Sequence, residues 1–200
     1  MEFTSRLEEI SSTLREFLSI SEEDIRNIKE VHNILGDDGL KKVVSEATDI
    51  LLSDKESLEI VKSVGLTREV AENLLESCVR NLFSESFNYR HSLKISKVGL
   101  AHCKSGVSIR QLLALMGVLL IKITKVLIEK GRADLIPSLE KGTLWSVGII
   151  SEAYSMAVAL SIEKTAGISK DLLDKSVRLS ASRVYEEVGE ALSKELEGSN

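Results

Sequence analysis

Apolar residues return every three or four positions along nearly all of this 200-residue chain, a period that predicts helices rather than strands. The first helix is expected from about Thr4 to Leu18, with Leu7, Ile10, Leu14 and Phe17 along one side. Ser21-Glu22-Glu23-Asp24 has the form of a capping sequence. It opens a second helix that carries Ile25, Ile28, Val31 and His32 and stops at Gly36, and Asp37-Asp38 begin a third through Leu40, Val43, Val44, Ala47 and Leu51. A short segment at Ser57–Val64 precedes Gly65, and Thr67 caps a helix through Val70, Leu74, Cys78 or Val79, and Leu82. Further helices are expected over Ser86–Lys104, from Ser108 to about Lys130-Gly131, from Gly142 or Thr143 to just before Gly167, and over Ser169–Glu197. Loops this short, with no linker rich in Pro, Gly or Ser, predict one helical bundle.

Composition sharpens that picture. One proline and 4% aromatic residues favour an all-α fold over a sandwich or barrel, and a chain of this length can bury about two thirds of its unfolded surface without a staple. A net charge of −5 with no dense Lys/Arg block makes nucleic acid a poor partner. Cys78 and Cys103 lie far apart, which argues against a zinc site, a redox pair or a disulfide framework; with no basic-then-apolar leader, a cytoplasmic protein is expected. Ile109–Ile128 and Thr143–Ile162 are the most apolar stretches. Arg110, Gln111, Lys122 and Lys125 interrupt the first and Glu152 the second, so both read as core helices rather than membrane spans, the first as a central buried one. In the last helix Leu173, Val177, Ser180, Val184, Glu187 or Val188, and Ala191 form a narrow seam, suited to packing on its own domain or to a dimer contact. The expected division is therefore 1–168 for the main domain, N-terminal helix included, and 169–200 for the C-terminal helix.

Enzyme signatures are missing: no G-x-S-x-G, no glycine-rich phosphate loop and no H-E-x-x-H, so no enzyme is expected. Histidine is more informative. Ile95, Val98 and His102 fall at i, i+3 and i+7, which sets the imidazole on an apolar stripe, as a metal ligand or as a hydrogen-bonded core residue. His91 lies about 16 Å earlier along the same helix, too far to share a metal, and is expected at the surface or facing a partner. His32 is expected in the core or at its edge, and the two cysteines read as small apolar fillers.

Val98-Gly99-Leu100-Ala101-His102-Cys103-Lys104-Ser105-Gly106-Val107 resembles the sensor-globin family, the globin domains of globin-coupled sensors and their protoglobin relatives. His102, Lys104 and Gly106 fill the places of the family's proximal haem histidine, a following basic residue and a glycine. Asn81-Leu82-Phe83-Ser84 is similar to the end of the distal helix, and Ile50-Leu51-Leu52-Ser53 to the end of an earlier one; Ser21-Glu22-Glu23-Asp24 and Glu152-Ala153-Tyr154 also match. The resemblance spans Ile25 to Tyr154, about two thirds of the chain. It implies a globin-like bundle with an extra N-terminal helix and an extended C-terminal one. It also implies haem held by His102 as axial and metal ligand, with Val98, Leu112, Leu74 and Thr48 around it.

The departures bear on function. Ile109, Gln111 and Leu112 stand where the family has a proline and an aromatic pair, Ala47 and Thr48 where many relatives place a Phe-Tyr pair that holds oxygen, and Leu74 in place of a distal polar residue. Thr48 is then the one obvious distal donor, and Lys104 is either a propionate partner or a solvated helix-end cation. The implied function is a sensor or carrier of a diatomic gas, oxygen, carbon monoxide or nitric oxide, with oxygen held loosely. A homodimer built on Ile109–Ile128, Leu144–Ile162 and the terminal helix goes with it, as does a signalling protein partner. The other reading is a globin-fold interaction module without cofactor, whose crevice beside His102 is closed by Leu74, Val79 and Leu112.

Overall fold

A computed structural model of the chain describes residues 2–84 and 86–198. Among them are eight α-helices and one short 3-10 turn, with no strand: α1 (Glu2–Phe17), α2 (Glu22–Ser53), α3 (Lys55–Ser63), α4 (Arg68–Ser84), α5 (Tyr89–Lys104), α6 (Ile109–Glu129), the turn Ala133–Leu135, α7 (Ile136–Ala166) and α8 (Lys170–Gly198). The all-α expectation holds.

Local chemistry sets most of the boundaries. Ser21 and Ser108 each close a full capping box, with Asp24 and Gln111 as reciprocal partners. Within α2 the helix breaks at Gly36 (φ 60°, ψ −179°), a conformation in which any side chain would strain the backbone, so the expected second and third helices are its two halves. Two expected starts move. Asn88, accepting from the His91 amide at 3.0 Å, opens α5 three residues after Ser86. α7 begins at Ile136, six residues before Gly142, because Pro137 fits a first turn that needs no amide donor. Gly142 then lies inside the helix, where a Cβ would come within 2.7 Å of the Ile28 side chain and 2.9 Å of Phe87.

Trp145 of α7 is fully buried, and its indole donates to the Ser11 carbonyl of α1 at 3.1 Å. Gly148, one turn on, receives Leu14, so α1 docks on α7 through a notch and a hydrogen bond. His91 is also wholly buried, which corrects the surface placement expected for it. Its ring lies 4.9 Å from Trp145 and 5.1 Å from Phe87, so the imidazole contributes an aromatic face to the core. His32, half-buried, meets Phe83 at 5.7 Å.

α6 and the run Ala133–Ala166 are long and apolar enough to cross a membrane by length and composition alone. In this fold α6 turns Leu112, Met116, Leu119, Ile123 and Leu127 to the core, while Lys122 pairs with Glu46 and Arg110 with Glu56. It is not buried all round as its composition suggested: Leu113, Ile121 and Ile128 are exposed, as is Leu144 on α7. Glu152, the charge that interrupts α7, pairs with Arg6 of α1 at 2.9 Å.

The chain divides into two compact units, Met1–Met156 and Ala157–Asn200. The first holds the whole core described above. The second begins inside α7, and in it the seam positions Val177, Val184 and Val188 of α8 are exposed.

Asp24 is the chief buried charge. Burial raises its pKa, but the Ser21 amide and hydroxyl, Lys141 and Ser138 all donate to it and together hold it down to about 2. A carboxylate depressed in the folded state stabilises above its unfolded pKa and loses that contribution as pH falls from about 3.8 to about 2. Asp24→Asn is therefore expected to cost on the order of 1–2 kcal/mol at pH 6, measured by urea denaturation. The gap from wild type should close near pH 2; a gap unchanged from pH 6 to pH 2 contradicts the assignment.

Candidate functional site

The site starts with a missing side chain. Gly99 is buried in α5, and a Cβ there would run into the Ile150 carbonyl of α7 and lie 3.1 Å from the Tyr154 amide nitrogen and 3.2 Å from the Ala153 Cβ. The two backbones thus touch directly, which fixes the height and rotation of α5 on α7. One turn after Gly99, on its last turn, α5 carries His102.

His102 Nδ1 lies 2.7 Å from the Val98 carbonyl oxygen. A carbonyl only accepts, so Nδ1 bears the hydrogen, and in the neutral ring Nε2 is then the nitrogen with the lone pair. The same bond holds the ring against its helix. It is the arrangement by which proteins orient a ligating imidazole, with the second nitrogen tied to a backbone oxygen.

His102 lines a cavity of about 450 Å³, within the range of cofactor sites. Its walls come from α3, α4, α5 and α6, with Leu51 of α2 and Ile150 of α7 also lining it. Val98 and Leu112 line it as expected, and so does Leu74, which is 58% exposed and therefore stands at the mouth rather than plugging it. Val79 is buried away from the cavity, so the three side chains that were to close the crevice leave it open. Thr48 is not brought to the site: it is fully buried, and its hydroxyl donates to the Val44 carbonyl one turn back at 2.9 Å. Lys104 does not line the cavity either; Lys94 and Lys97 do.

Sequence reading missed several lining residues. Ile60 and Val61 of the short α3, with Val64 at its C-cap, form one wall, and Asn81 places an amide on the α4 side. Cys78 also faces in, and burial pushes its thiol up to about 11, so it stays protonated. The signal for α4 was available, because Ala71, Leu74, Cys78 and Asn81 follow a three-four spacing. Of the other polar liners, Ser57 donates to Asp54 at 2.7 Å and Gln111 donates to Ser57 at 3.3 Å, which ties the foot of α6 to α3.

Among the described residues no group of three His, Cys, Asp or Glu side chains converges to hold a metal. A lone imidazole with a free lone pair in an apolar slot suits a metal that arrives with most of its coordination already filled by a flat organic ligand.

A family model described as Protoglobin matches residues 7–157 of this chain. Among curated proteins, none matches it.

The Gly99 contact is checked by a pair of substitutions. Gly99→Ala forces α5 off α7 and is expected to cost about 1–3 kcal/mol as an overpacked core site. Gly117→Ala in α6, where a Cβ meets nothing within 4 Å, is expected to stabilise by up to about 1 kcal/mol through helix propensity. Thermal unfolding of both variants reads the difference, and equal effects would contradict the close-approach account.

Proposed function

Because this chain belongs to the protoglobin family, we propose that it binds haem through His102 and serves as a sensor or carrier of a diatomic gas. The observation that carries this reading is the 2.7 Å bond from His102 Nδ1 to the Val98 carbonyl beside an open cavity of about 450 Å³. It leaves Nε2 as a lone-pair donor on the wall of a slot that the side chains do not fill. Haem, when bound, would supply an iron able to take up oxygen, carbon monoxide or nitric oxide.

The chain's own residues do the rest. Leu112, Met116 and Leu75 exclude water from the slot, and Val98 and Gly99 hold the imidazole in register. The hydroxyl of Thr48 is committed to its own helix, so the strong distal donor found in many relatives has no counterpart at that position. This supports loose holding of oxygen, with the Asn81 amide as the polar group on the α4 wall. The same geometry counts against the cofactor-free interaction module, which needs a closed crevice. The reading is of a binding protein rather than an enzyme.

Leu113, Ile121 and Ile128 on α6 and Leu144 on α7 are exposed apolar side chains, which supports a homodimer built on those helices and a route by which a signal reaches a protein partner. A monomer by light scattering at micromolar concentration would remove that part of the reading.

Hemin added to the purified chain is expected to give a Soret band at 1:1 stoichiometry. The band should be lost or strongly shifted in His102→Ala, and added imidazole should restore it in His102→Gly. In the ferrous carbon monoxide form the C–O stretch should report an apolar, weakly hydrogen-bonding surrounding. A chain that stays colourless, or a band indifferent to position 102, contradicts the proposal.

A further inference from the structure

Among the described residues, the ionisable groups that line the cavity are Cys78, Lys94, Lys97 and His102. The thiol stays protonated, and among the described residues two lysines, Lys94 and Lys97, bring positive charge to this wall. Both sit on α5, at i and i+3, on the side that also carries Val98, Ala101 and His102. Lys97 and Lys94 precede His102 by about 7.5 and 12 Å along the helix axis at 1.5 Å per residue. Both are exposed while lining the cavity, so their stems border the slot and their ammonium groups stand at its mouth. Lys97 forms no ion pair among the described residues.

We propose that Lys94 and Lys97 bind the two carboxylates of a dicarboxylate tetrapyrrole, so that α5 alone supplies both the axial imidazole and the anion clamp. This rests on the haem reading of the same cavity and adds what selects and orients the macrocycle. The slot asks for an apolar body with an anionic edge. Two cations one turn apart match a pair of carboxylates, where a single-headed fatty acid would engage one. Lysine-to-carboxylate bonds at a water-exposed mouth are charge-assisted, and they slow release of the ligand more than they shift its colour. With every polar anchor on one helix, a displacement of the macrocycle moves α5 as a body, and the Gly99 contact passes that movement to the α7 backbone at Ile150.

The test uses the full chain loaded with hemin and measures hemin transfer to excess apomyoglobin. Lys94→Gln/Lys97→Gln is expected to release hemin at least about tenfold faster than wild type, with an unchanged Soret maximum because His102 still ligates. Lys29→Gln/Lys130→Gln, which removes the same charge elsewhere, should match wild type. Hemin dimethyl ester, which lacks free carboxylates, should leave wild type and the Lys94/Lys97 variant at the same rate. If the double variant does not fold, as judged by far-UV circular dichroism, Lys97→Gln alone reads the same effect at smaller size. A His102-dependent Soret band whose release rate ignores the lysines overturns the clamp and spares the haem reading. Absence of any such band in wild type overturns both.

Discussion

The site depends on one close approach, that of the α5 backbone to the α7 backbone at Gly99. Residue 99 has no Cβ, and the Ile150 carbonyl occupies the space one would need. That contact sets where α5 lies, and everything the helix carries follows from it: His102 on its last turn, Val98 beneath the ring, and Lys94 and Lys97 at the edge. Ile150 joins the contact to the slot, since its carbonyl meets Gly99 and the residue lines the cavity.

The slot stays open because its walls are spread over several short or angled elements. α3 has nine residues and is capped by Asp54, and it contributes two aliphatic side chains, Ile60 and Val61, with Val64 just past its end. Leu74 leans outward and Val79 packs inward, so neither enters. An apolar cavity of this size leaves dispersion contacts unmade and is costly to keep in a core built for stability alone. A ligand that fills it recovers those contacts, which is the physical link between the packing and the proposed haem function. Beyond the slot, the Trp145, Phe87 and His91 cluster and the Asp24 network anchor α1, α2 and α7 as a frame around it.

Much of this was legible in the sequence where the determinant is local. Capping boxes at Ser21 and Ser108, the positive φ at Gly36 and the apolar stripe leading to His102 each depend on residues a few positions apart. The family resemblance placed Val98, Leu112, Leu74 and His102 together, and the structure does bring these four to one cavity. What failed depends on partners distant in the chain or on a choice between two local bonds. His91 is buried because Trp145, 54 positions later, stacks on it. Thr48 was read as a distal donor, yet a helical threonine can bond its own preceding turn, and here it does. Lys104, left open between a propionate partner and a solvated helix-end cation, lies two residues after His102 and therefore about 200° round the helix, whereas Lys94 and Lys97 line the cavity.

Resonance Raman spectroscopy of the hemin-loaded, ferrous protein tests the central claim most directly, because it reports the bond between iron and imidazole itself. The account predicts a low-frequency iron–histidine stretch that shifts when the protein's histidines are labelled with nitrogen-15 and that vanishes in His102→Gly. A spectrum with no histidine-sensitive band, or one that keeps the band after residue 102 is replaced, would contradict it.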